Sequence, residues 1–138
     1  FMKRLLIIAG VLGLIAVAFG ALGAHALKNI ITAQQLEIFE KGVRYQFYHT
    51  LAIIAVALAF GQTGQKHFYY AGNLFLWGII CFSGSLYLLA LQTVNISDTL
   101  ILSNLVPTKV IGPVTPIGGL LFIAGWLMLL RGASKLKP

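Results

Sequence analysis

Polar positions are sparse along the chain, and they cut it into long apolar stretches that predict membrane-spanning helices. The first apolar run, Leu5 to Ala26, follows Lys3-Arg4 and is about 20 residues long, enough to cross a ~30 Å hydrocarbon core. It also carries a small-x-small ending, Ala24-His25-Ala26, of the kind seen at signal-peptide cleavage sites. Its length and the further spans behind it favour an uncleaved first helix. The remaining breaks predict spans over about 46–62, 70–91 and 116–131 beside the first at 5–27.

Between the first two spans the pattern changes from continuous to amphipathic, over about 32–45. Thr32 offers a helix cap with Gln35 three residues on. Glu37 and Lys41, and Glu40 and Arg44, stand at the spacing that lets an acid pair with a base one turn later. Glu37, Glu40, Lys41, Arg44 and Tyr48 share one arc, and Leu36, Phe39, Val43, Phe47 and Thr50 share another. An interfacial segment is expected, running into the second span straight or with a bend at Gly42.

Small residues recur at helical spacing inside the spans. Gly13 and Gly20 lie a heptad apart in the first, Ser83-Gly84-Ser85 interrupts the third, and Gly118, Gly125 and Gly132 repeat every seventh residue in the fourth. In lipid such faces let backbones approach, so these positions are expected to pack helices, with the stripe on the last helix facing the stripe on the first. The segment 92–115 is neither a linker in composition nor a span. Its apolar triplets suggest a loop folded onto the membrane surface or over the bundle mouth.

Composition fixes the solvent. Of 138 residues 59% are hydrophobic and 9% charged, and the mean hydropathy is +0.91, more apolar surface than one soluble core of this size can bury. A net charge of +7 would suggest nucleic acid in a soluble protein. Here the basic residues sit at the edges of apolar runs, where lipid headgroups account for them, and no nucleic-acid partner is expected. With four spans the termini and the loop between spans two and three share a side. That side holds Lys3, Arg4, Lys66, Arg131, Lys135 and Lys137, against Lys28, Lys41, Arg44 and Lys109 opposite, which favours cytoplasmic termini. A lone Cys81 allows no intrachain disulfide.

Five blocks, taken in order, resemble a known family. Gly20 to His25, Phe39 to His49, Phe82 to Tyr87, Thr115 to Gly119 and Ala124-Gly125-Trp126 are similar to the YgdD-like family of small uncharacterised bacterial inner-membrane proteins. The resemblance implies an all-α, integral-membrane bundle of four transmembrane helices in the inner (plasma) membrane. It implies no activity.

The candidate polar cluster is His25, Glu40, Arg44, Tyr45, Gln46 and His49, since intramembrane ionisable groups are the default functional candidates and His25 and His49 are expected at similar depth. Their simplest role is anchoring at the water interface; proton handling is the chemical alternative, and two histidines alone make a poor metal or haem site. No catalytic set is expected, because Ser83 and Ser85 have no base near them in sequence. No metal or cofactor is implied. The residues therefore suggest a non-enzymatic structural or accessory protein that binds membrane lipids or a larger membrane complex. A small transporter or proton conductor is the alternative.

Overall fold

The amphipathic segment and the second span form one unbroken helix. The computed structural model describes residues 1–92, 94–97, 100–101 and 107–136, the side chains of 95–97, 100, 101 and 108 excepted. Helix α1 is Met2–His25, and a single 3-10 turn, Leu27–Asn29, leads to α2, Ala33–Thr63. At 31 residues α2 rises about 46 Å, beyond the ~30 Å hydrocarbon core, so its first turns stand in the interfacial layer. Thr32 caps it reciprocally: the Gln35 amide donates to Thr32 Oγ1 at 3.3 Å, and the Thr32 amide donates to Gln35 Oε1 at 3.0 Å. It ends at Gly64, whose φ of 65° is the left-handed conformation that closes a helix. There is no break at Gly42, because that glycine is held against Tyr87 rather than used as a bend.

The third span is interrupted. Helix α3, Lys66–Gly78, passes through a π turn, Ile79–Ser83, into α4, Gly84–Leu91. Beyond it come a two-stranded antiparallel ribbon, β1 Asn95–Ser97 with β2 Leu100–Ile101, a short helix α5, Thr108–Ile111, and the last span α6, Val114–Ala133. The expectation that 92–115 folds onto the membrane surface or over the bundle mouth falls partly on 93, 98, 99 and 102–106, and the count of basic residues by side includes Lys137; these lie outside the described residues.

Among the described residues four helices are long and apolar enough to cross a membrane, Met2–Asn29, Ala33–Thr63, Lys66–Leu91 and Lys109–Ala133. The middle two are more than twice as buried as the outer two, 39% against 17% of their most apolar windows. The layout follows: α2 and the α3–α4 span form the centre, α1 leans on α2, and α6 leans on α3. Outward-facing Leu14, Val17, Leu120 and Leu130 are more than 60% exposed, as lipid-facing side chains must be in a bundle this thin.

The glycine stripes do not face each other. Gly132, Gly125 and Gly118 of α6 seat Phe68, Phe75 and Phe82 of the third span, which share the same seven-residue repeat running antiparallel. A Cβ built at Gly125 would lie 2.6 Å from the Phe75 ring, and one at Gly132 2.7 Å from the Phe68 ring. At Gly118 it would meet the backbone of Phe82, 2.7 Å from Cα. Gly13 and Gly20 of α1 instead face Thr50 and Val43 of α2, at 3.8 and 3.7 Å. Two bare backbones facing each other leave a void, whereas a flat ring laid on one bare backbone fills it, so dispersion favours ring on glycine.

Candidate functional site

The buried face of α2 carries Gly42, Gln46, His49 and Thr50, spaced so that one stripe turns into the bundle. Polar groups there have no water, and each must find a partner inside the protein.

Gln46, 3% exposed, does this with a single amide. Its Nε2 donates to the Leu12 carbonyl of α1 at 2.8 Å, while its Oε1 accepts the Tyr87 hydroxyl of α4 at 2.8 Å. A carbonyl on one side and a hydroxyl on the other leave the amide only one orientation that uses both ends. Tyr87 is held from the sides by Phe19 and Phe39, each with ring centroids 5.0 Å away. Thr50 Oγ1 donates back to the Gln46 carbonyl at 2.7 Å, a local bond that leaves its methyl group against Gly13.

His49, 4% exposed, links α2 to α6. Its Nδ1 faces the Tyr45 carbonyl at 2.8 Å, and its Nε2 lies 3.2 Å from the Trp126 indole Nε1. A carbonyl only accepts and an indole N–H only donates, so the ring is the neutral tautomer with the proton on Nδ1. It lies flat on Phe122, centroids 3.5 Å apart at 7°, with Phe75 at 5.5 Å. One amide and one imidazole thus tie all four spans together.

A third polar contact stands at the π turn. Ser85 Oγ donates to the Phe82 carbonyl at 2.9 Å, which leaves its lone pair for the Thr115 hydroxyl of α6 at 2.6 Å. The Ser83 hydroxyl, fully buried, has no hydrogen-bond partner among the described residues. The π turn widens the backbone where α6 crosses at Gly118.

The expected cluster therefore divides. Gln46 and His49 come together in the interior, with Tyr45 beside them through its carbonyl and its ring, 4.7 Å from Phe82. His25 does not join them: it is exposed at the end of α1, with Nδ1 on the Ala21 carbonyl at 3.1 Å. Thr50, the neighbour of His49, meets Gly13, twelve residues before His25, so roughly 20 Å of helix separates the histidines. The reason is that α2 starts outside the hydrocarbon and reaches His49 only after more than four turns. Glu37, Glu40, Lys41 and Arg44 are all exposed, and among the described residues none closes an ion pair. Solvated pairs at this spacing gain only about 0.3–0.5 kcal/mol, too little to fix four long side chains.

Of the expected packing residues, Gly13, Gly20, Ser85, Gly118 and Gly125 meet neighbouring helices, but a Cβ at Gly84 would meet nothing within 4 Å. Residue-by-residue reading missed Tyr87, Trp126, Thr115 and Phe122 as members of the site. The first three were within reach, since they stand in the blocks that carry the family resemblance. Among the described residues, no three His, Cys, Asp or Glu side chains gather as a metal site would require.

Comparison with known proteins agrees with this architecture. A family described as "Protein of unknown function (DUF423)" matches residues 19–119. The chain is 40% identical over 135 residues to a UPF0382 membrane protein of Staphylococcus saprophyticus, covering 98% of this chain and 100% of that one. It is 38% identical over 135 residues to the UPF0382 inner membrane protein YgdD of Escherichia coli (strain K12), covering 98% and 92%. No solved structure matches. With four apolar spans and relatives that match it almost end to end, the chain is a multi-pass membrane protein and belongs to the DUF423, or UPF0382, family.

Proposed function

We propose that the chain is a non-enzymatic accessory protein of the plasma membrane, which binds lipid and a larger membrane complex through its lateral apolar faces. One contrast carries the reading. The polar groups of Gln46, Tyr87, His49 and Trp126 are directed at one another, while the outer surface is left open in two apolar grooves of ≈ 610 and ≈ 500 Å³. A catalyst needs a polar group free to meet substrate, and a conductor needs a connected series of them. The ~20 Å between His25 and His49 weighs against a proton path using both. Interior bonds of this kind hold a shape, and lateral grooves offer that shape to the membrane.

The test is extraction in a mild detergent and reciprocal capture. The expected result is a heavier assembly holding the chain and the same partner at constant ratio from either side. Recovery as a free monomer under every extraction condition would overturn the accessory role.

A further inference from the structure

The larger groove runs along the α1–α2 seam. Its floor includes Gly10 and Gly13, and its walls include Leu14, Val17, Phe47 and Leu51. At its loop-side end the seam continues into a recess of ≈ 230 Å³ lined by Gly20, Glu40, Val43 and Arg44. The two are in line because Gly13 meets Thr50 and Gly20 meets Val43 in one antiparallel register. From Ala9 to Gly20 the eleven steps of α1 rise about 16 Å, close to half of a ~30 Å core and so to the depth of one leaflet.

We propose that this seam binds a phospholipid with an amine-bearing headgroup, its acyl chain lying in the groove, its phosphate on Arg44 and its ammonium on Glu40. The inference rests on the lateral-binding reading above and deepens it. Three observations converge on that occupant. The groove is apolar over one leaflet's length and opens sideways, as a chain entering from the bilayer requires. The recess at its end places one base and one acid a single helical turn apart, the charge pattern complementary to a zwitterionic head. Neither Glu40 nor Arg44 closes an ion pair among the described residues, and both line the recess. Arginine suits the phosphate because its planar fork bonds two oxygens at once, and a carboxylate accepts from a primary ammonium but has no N–H to accept from in a quaternary one.

Native mass spectrometry of the purified full chain, titrated with phosphatidylethanolamine, phosphatidylcholine or phosphatidylglycerol, tests this. Phosphatidylethanolamine is expected to bind most tightly. Arg44→Gln should weaken all three by about tenfold, the loss of one charge-assisted phosphate contact. Glu40→Gln should erase the preference for phosphatidylethanolamine over phosphatidylcholine and leave phosphatidylglycerol no weaker. Gly10→Leu fills the groove where an added Cβ meets nothing within 4 Å, so it should expel lipid while thermal unfolding is unchanged. Equal binding of the two zwitterionic lipids, full binding by Gly10→Leu, or a dimer peak replacing the lipid adduct would each overturn the proposal. A chain that enters its complex yet shows no headgroup preference would sink the lipid site alone. One that keeps the preference but is recovered only as a monomer would sink the accessory reading alone.

Discussion

The two outer helices carry the same glycine repeat and use it oppositely. On α6, Gly118, Gly125 and Gly132 are seats for the third span, so close that a methyl group would overlap Phe82, Phe75 or Phe68. On α1, Gly13 and Gly20 lie at ordinary contact distance from Thr50 and Val43, and the space left beside them belongs to a lateral groove and to the recess that continues it. What differs is the partner. Phenylalanine at the facing heptad positions turns a bare backbone into a filled joint, and small or β-branched side chains leave it open. Helix α1 is then held by other means, including the amide of Gln46 on the Leu12 carbonyl.

That contrast can be broken most sharply at Gly118. Gly118→Ala should cost about 3 kcal/mol, the upper range for overpacking, because the atoms it meets are backbone and cannot swing away. Thermal unfolding in detergent followed by circular dichroism checks it, and an unchanged midpoint would mean the joint is loose. Next comes the polar tie on the other seam. Gln46→Leu strands the Tyr87 hydroxyl and should cost about 1–2 kcal/mol, with Tyr87→Phe recovering about 0.5 kcal/mol in the double variant, near the average for a bond in a membrane interior. If the two losses simply add, the bond contributes nothing to holding α4 on α2. His49→Phe keeps the stack on Phe122 but removes the Trp126 acceptor. Measured in a Trp77→Phe background, it should blue-shift the remaining indole emission and cost about 1 kcal/mol. The smallest effect is expected at Gly13→Ala. With 3.8 Å to its nearest neighbour, the added methyl should be neutral or stabilise by up to about 0.5 kcal/mol through helix propensity. A loss comparable to that at Gly118 would erase the distinction between the seams.

The Thr32 cap was legible because capping is local: the bonds it makes reach only three residues along the chain. The expected ion pairs of Glu37, Glu40, Lys41 and Arg44 are local too, yet they do not form, since solvation competes with them on an exposed face. Gln46 and His49 were legible as polar residues in apolar surroundings. Their partners were not, since Leu12, Tyr87 and Trp126 lie 34, 41 and 77 positions away.

By itself the sequence determined the solvent, the four spans and the membrane family, because the length and continuity of apolar runs are properties of a single stretch of chain. Tertiary structure alone decided which helices became central, which glycines were seats and which were groove floor, and that His25 stands about 20 Å from His49. Those outcomes depend on the register of one helix against another. A seven-residue repeat fixes which face of a helix is smooth and says nothing of what is pressed against it.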